Sequence, residues 1–235
     1  MTSKPIIEVL EETFEQCRDM DASLNERLQT FAGQVRVVSP PFAEAVDRLV
    51  ARLQRADAGA TAPMPGDQLP PFLLPDSGGR LVGLEELLAR GPVAVVFHRG
   101  HWCPYCRINT NALARAHRDI QEAGGQIVAI MPDREQFTSK LQSAAETPFP
   151  ILTDVDNGYA LSLNLAIWVG AEMEGMMAAA GVDLPAYQGN DSWILPIPAT
   201  FVVGADGRIR ARFVDPDYRR RMAIDDLLKA LRAAR

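Results

Sequence analysis

The chain has 235 residues, 47% of them apolar and 23% charged, which is enough to bury one sizeable core and too apolar for a disordered tail. With 24 Lys and Arg against 30 Asp and Glu, the net charge of −6 offers no broad attraction to nucleic acid or to an anionic membrane surface. Met1-Thr2-Ser3-Lys4-Pro5 leads into an acid-rich stretch and not an apolar signal core, and no window approaches the roughly 18 apolar residues of a spanning helix, so a soluble cytoplasmic protein is expected.

Apolar residues recur at helical spacing from residue 5 to about 57: Ile6, Leu10, Phe14 and Cys17, then Leu24, Leu28, Phe31 and Val35, then Phe42, Val46, Leu49 and Leu53. Pro40 and Pro41 interrupt this run, with Ser39 as the N-cap of its last helix. The small, proline-punctuated stretch 58–66 reads as a flexible linker, which divides the chain into a helical extension and linker (1–62) and a main domain (63–235). Beyond it, Phe72-Leu73-Leu74 and Arg80-Leu81-Val82 flank the turn residues Asp76 to Gly79 and predict a hairpin.

Val93 to Phe97 is apolar at every position, as a strand buried on both faces should be. A helix follows through Ile108, Leu113 and Ile120 and stops at Gly124-Gly125, after which Ile127 to Ile130 is a second buried strand. This βαβ unit places its first strand-to-helix turn where open α/β sheets carry their chemistry. Farther on come a helix over 137–145, an edge strand at Phe149 to Leu152, and helix across 156–181. A hairpin of Ala199 to Val203 with Ile209 to Val214 and a closing amphipathic helix, Ala223 to Leu231, complete an α/β chain with a central mixed sheet.

The turn carries Arg99-Gly100-His101-Trp102-Cys103-Pro104-Tyr105-Cys106. Cysteines three apart at the start of a helix share one face, with Cα atoms roughly 5 to 6 Å apart, inside the range a disulfide needs. Pro104 is tolerated only in a first turn, so Cys103 falls at the cap or the first helical residue, where unpaired N–H groups and the helix dipole favour thiolate. A thiol pKa lowered from ~8.5 to ~7 raises the thiolate fraction at neutral pH from about 3% to about 50%, while falling nucleophilicity returns roughly fivefold of that gain. The larger benefit is as a leaving group in a pair that cycles between dithiol and disulfide. Zinc needs four ligands, and the third cysteine and three histidines offer no second pair at ligand spacing. Haem attachment fails because Arg107 stands where a histidine is required. No cofactor or metal is implied.

Together with Gly66-Asp67, Pro71 to Pro75, Phe149 to Asp154, Pro198 to Val203 and Asp206-Gly207, this segment resembles the alkyl hydroperoxide reductase C/thiol-specific antioxidant family, in its peroxiredoxin-like branch with Trp-Cys-Pro-Tyr-Cys. The resemblance runs from about residue 64 to the C-terminus. It implies a thioredoxin-like fold and thiol-dependent reduction of hydrogen peroxide or organic hydroperoxides, in which a sulfenic acid condenses to a disulfide and a thioredoxin-type donor restores the dithiol. Two positions depart from the family pattern. Cys103 occupies the place of a threonine three residues before the peroxidatic cysteine, and Pro198 stands where an arginine precedes the final strand pair.

Two registers therefore stand open. Helix-terminus logic makes Cys103 the nucleophile with Cys106 its partner; family alignment from Phe97 and His98 reverses the roles. Around the pair, Arg99 and His101 are candidates to stabilise thiolate or leaving oxygen, His98 and His101 to shuttle a proton, and Trp102 to shield the site. The thioredoxin-like pattern makes Pro198 a cis-proline opposite the cysteines, freeing the Ile197 backbone for an extended substrate. Cys17 shares a stripe with Leu10 and Phe14 and reads as a core residue. The alternatives to a peroxidase are a thiol-disulfide oxidoreductase acting on proteins and a redox-gated binding module whose helices contact a partner or the second subunit of a homodimer.

Overall fold

The computed structural model of the protein describes residues 6–235, Ile7 through its backbone alone. Three helices come first: α1 (Ile6–Asp19), α2 (Leu24–Val38) and α3 (Pro40–Arg55). Ser23 and Glu26 form a capping box at the start of α2, each side chain taking up an N–H that the helix leaves free. Pro40 opens α3, with Ser39 at the cap position but without a side-chain cap bond.

The hairpin β1 (Leu73–Pro75) and β2 (Leu81–Gly83) turns on Asp76, whose Oδ1 accepts the N–H groups of Gly78 and Arg80, both at 2.9 Å. Next come α4 (Leu84–Leu88), β3 (Val93–Phe97), α5 (Pro104–Arg115), α6 (His117–Glu122), β4 (Gln126–Met131), α7 (Glu135–Ala144) and β5 (Ile151–Thr153). The chain closes with α8 (Gly158–Ser162), β6 (Ala166–Trp168), α9 (Ala171–Ala179), α10 (Leu184–Gln188), β7 (Ile194–Pro196), β8 (Ala199–Val203), β9 (Ile209–Val214) and α11 (Ile224–Ala233).

The central sheet has the order β5-β4-β3-β8-β9, with β3, β4 and β5 parallel and β8 and β9 antiparallel. Every residue of β3 is buried because its alternating side chains serve two cores. Val93, Val95 and Phe97 pack with α4, α8 and the β1–β2 hairpin, whereas Ala94 and Val96 pack with α5, α6 and α11. The free end of β3 then delivers the chain directly into the cysteine turn.

The N-terminal helices are part of the same body. Phe14, Leu28, Phe31, Val46 and Leu49 share one hydrophobic cluster with Cys103, Tyr105, Cys106 and Ile108, so their apolar stripes cover the helix that begins at the cysteines. Each such side chain, fully buried, stabilises by about 1.5 to 3 kcal/mol. Arg27 fastens the layer, donating to the carbonyls of Cys17 and Arg18 at 2.6 Å each and thereby closing the C-terminal end of α1.

Two expectations are corrected. Residues 58–66 are pinned and not flexible, because Arg212 donates to the carbonyls of Ala62 and Pro63, and Gly59 lies against Val214 and Ile197 at a positive φ of 82°. The helix expected across 156–181 is broken, since Asn164 and Gly170 adopt positive φ and let residues 166–168 pair as β6 with β7. Leu and Ala favour helix locally, but β-pairing with a distant segment decides the outcome. Among the described residues no helix is long and apolar enough to cross a membrane.

Candidate active site

Cys103 is the N-cap of α5, with extended backbone angles (φ −85°, ψ 114°), and Pro104 occupies the first helical position. Cys106 therefore lies in the first turn on the same face. Both sulfurs are reduced and buried, at 1% and 0% exposure, so solvent reaches them only through whatever cavity adjoins them.

The two thiols meet different groups. The Arg99 backbone N–H donates to Cys106 Sγ at 3.3 Å, and the Arg221 guanidinium donates to the same sulfur at 3.4 Å. Cys103 instead lines a cavity of about 1040 Å³ between α2, α3, α5 and α9. Burial opposes its ionisation, but a hydrogen bond from Cys106 and the positive charges of Arg99 and Arg221 prevail and hold the Cys103 thiol at about 5. Burial pushes Cys106 well above the ordinary thiol range, and its hydrogen bond to Cys103 and the negative charge there push it the same way. The directions of the two shifts favour the thiolate at 103 over that at 106.

Arg99 is buried, its guanidinium 3.8 Å from the centroid of the Tyr218 ring and 5.1 Å from that of Trp102. Sandwiched in this way, the charge is held beside Cys103 without a flexible tether. Trp102 itself packs against the hydrophobic cluster and lines the cavity. The Tyr218 hydroxyl is pushed up to about 12 by burial, against the opposing effect of Arg99, and remains neutral.

His101 is anchored and not free. Its backbone N–H and its Nδ1 both meet Asp133 Oδ2, at 2.8 and 2.7 Å, while its ring stacks on Phe137 and meets Tyr187 edge-on. Gly100 makes this turn possible: at a φ of 152° its Cα runs so close to Trp102 and Asp133 that a Cβ would strike Trp102 Nε1 and come within 2.9 Å of Asp133 Oδ1. His98 is fully buried between Asn109 and Thr110, and burial lowers its pKa to about 4, which favours the neutral ring.

Pro198 does not take its expected role. Every described peptide bond is trans, the one before Pro198 included, and the Ile197 N–H already donates to Leu165 O at 2.7 Å. The inserted β6–β7 hairpin has engaged the backbone that an extended substrate would need. Cys17 is buried on α1 with its thiol pushed up by burial, as a core residue should be.

Arg221 is the residue that sequence reading missed. It follows β9 by seven residues, far from the cysteines in sequence, and its guanidinium is oriented by the carbonyls of Tyr218 and Arg220. The only trace in the sequence is the triplet Arg219-Arg220-Arg221, which spacing alone does not tie to the cysteine turn. Arg219 goes elsewhere, to Asp217 and Asp47. Among the described residues, no group of three or more His, Cys, Asp or Glu is placed to hold a metal ion.

Residues 65–212 match the family model of the AhpC/TSA family. A Mycobacterium tuberculosis protein named as a peroxiredoxin is 32% identical over 145 residues, covering 62% of this chain and 81% of its own. Among solved structures, the peroxidoxin BcpB of Mycobacterium tuberculosis superposes with a TM-score of 0.56 at 22% identity, over 73% of this chain and 97% of its own. Xanthomonas campestris peroxiredoxin Q gives 0.52 at 16%, over 69% and 90%. These likenesses settle the fold as the thioredoxin-like fold of the peroxiredoxins. With more than half of its length matched by the family model, the chain belongs to the AhpC/TSA family and is a peroxide-reducing oxidoreductase.

Proposed function

We propose that the protein reduces hydroperoxides through the Cys103–Cys106 pair, with Cys103 the attacking thiolate and a thioredoxin-type dithiol the final reductant. One observation carries this reading: the sulfur with the lowered pKa is also the one that faces the cavity. In the first step Cys103 thiolate attacks the terminal oxygen of R–O–O–H. The S–O bond forms, the O–O bond breaks, and RO⁻ departs to become ROH with a proton from solvent. Sulfur has lost two electrons and is a sulfenic acid. Arg99, at the same cavity wall, and Arg221, against Cys106, place positive charge where the leaving oxygen becomes negative.

In the second step Cys106 sulfur attacks the sulfenic sulfur, an S–S bond forms and water leaves. A donor dithiol then restores both thiols by exchange, and the low pKa of Cys103 makes it the better leaving group. That same property favours the second reading, exchange with protein disulfides, but the occupied Ile197 N–H and the trans bond before Pro198 remove the surface such a substrate would pair with.

The test is a single turnover of the reduced protein with a slight excess of hydroperoxide. The expected result is the loss of both Cys103 and Cys106 thiols per peroxide consumed and an intact mass lower by two hydrogens. Oxidation no faster than that of free cysteine, together with rapid insulin disulfide reduction, would select the exchange reading instead.

A further inference from the structure

The two thiols sit against a pair of buried cations that no carboxylate balances. Arg99 and Arg221 are only 4% and 3% exposed, and a guanidinium keeps its charge throughout the pH range of a folded protein. Arg99 is clamped by the rings of Tyr218 and Trp102. The carbonyls of Tyr218 and Arg220 hold Arg221, whose Nε is buried without an acceptor among the described residues. Carboxylates around the site are engaged by other groups: Asp133 by His101, Asp215 by Arg220, Asp217 by Arg219, Glu11 by Arg107 and Glu172 by Arg48.

The redox state of the cysteines decides what balances these cations. In the dithiol form a negative charge is favoured at Cys103, within the field of both arginines. The disulfide is neutral, so its formation removes that charge. Both arginines stay, because the rings and carbonyls that hold them take no part in the redox step. A buried charge left without a counterion is costly. The cavity offers the remedy, since Arg99 and Cys103 share its wall and its volume of about 1040 Å³ leaves room for an ion beside them.

We propose that the disulfide form binds a small monovalent anion in the cavity beside Arg99, in place of the charge lost from Cys103, and that reduction expels it. The proposal rests on the reading of Cys103 and Cys106 as a disulfide-forming pair and adds a ligand to it. On reduction the S–S bond breaks with two electrons from the donor dithiol. Of the two protons the donor gives up, one goes to Cys106 and one to solvent, while Cys103 keeps the negative charge as the anion leaves. The net charge beside the arginines is the same before and after. Apolar walls such as Phe31, Val35 and Met176 favour a weakly hydrated anion such as bromide over fluoride, whose smaller radius makes its removal from water costlier. By linkage, an anion that prefers the disulfide form makes that form harder to reduce.

The experiment equilibrates the protein at pH 7 with oxidised and reduced dithiothreitol at graded ratios, in bromide from 1 to about 200 mM with fluoride holding ionic strength constant, and counts thiols. Once bromide saturates the disulfide form, the midpoint potential is expected to fall by about 30 mV for each further tenfold rise, the value for one ion linked to two electrons. Calorimetric titration of bromide is expected to show binding to the disulfide form tighter than to the dithiol form by about tenfold or more. Arg99→Met is expected to lose the bromide dependence and Arg99→Lys to keep it. A potential indifferent to bromide, equal affinity of the two forms, or an undiminished dependence in Arg99→Met would each overturn the anion site while leaving the disulfide-forming pair intact. Failure of Cys103 and Cys106 to form a disulfide at any dithiothreitol ratio would overturn the pair itself, and the anion site with it.

Discussion

Cys106 lies on a polar floor, between the Arg99 amide, the Arg221 guanidinium and neutral His98, whereas Cys103, three residues earlier, opens onto a cavity walled by Phe31, Val35, Phe42 and Met176. One helical turn separates a sulfur that accepts two hydrogen bonds away from the cavity from one that lines it. The contrast teaches that a Cys-x-x-Cys motif does not define roles by itself. The groups that converge on each sulfur do so, and here they arrive from β3, from the loop after β9 and from helices more than fifty residues upstream.

The largest effects should come from breaking that asymmetry at the sulfurs. Cys103→Ser is expected to reduce peroxide consumption to the buffer rate, while Cys106→Ser keeps the first oxidation and loses the disulfide, as thiol counting after one turnover will report. Next in size is Arg221→Met, which removes a donor from the floor and charge from the pair. A loss of roughly 100-fold in kcat/KM is expected, with circular dichroism unchanged. A loss under about threefold would assign Arg221 to packing alone.

The roof should matter for stability more than for the chemical step. Leu28→Ala, at a fully buried position of α2 within the N-terminal layer, is expected to cost about 2 to 5 kcal/mol in urea unfolding, in one transition that helix and sheet signals share. Two separate transitions would show that α1–α3 fold as a domain apart. Alkylation of Cys103 should rise with pH through an inflection near 5 and be flat from about pH 7 upward, since the thiolate forms as protons are lost. An inflection above pH 8 would mean an ordinary thiol. Glu11→Gln, which removes the exposed ion pair with Arg107, should change stability by less than about 1 kcal/mol.

Much of the floor was legible in the sequence. The unbroken apolar run Val93 to Phe97 identified the central strand, and Pro104 placed Cys103 at the cap or first residue of the helix, because both are local signals with strong steric or hydrophobic causes. Arg221 and the roof were not legible. Arg221 reaches Cys106 through a turn whose geometry no spacing rule encodes, and the stripes of α1–α3 state that a face is buried without naming what covers it. Pro198 shows the converse failure: a motif position carried its expected role only until β6 and β7 used the neighbouring backbone. Residues 166–168 failed as helix for the same reason, a long-range pairing overriding local preference.

The account depends most on which sulfur takes oxygen. Treating Cys106→Ser and Cys103→Ser separately with one equivalent of hydroperoxide in the presence of a dimedone-type trap, and locating the adduct by peptide mass spectrometry, reads this directly. Modification at Cys103 in the first variant, and none at Cys106 in the second, is the expected result. An adduct at Cys106 with Cys103 left untouched would reverse the roles and make the polar floor the point of attack.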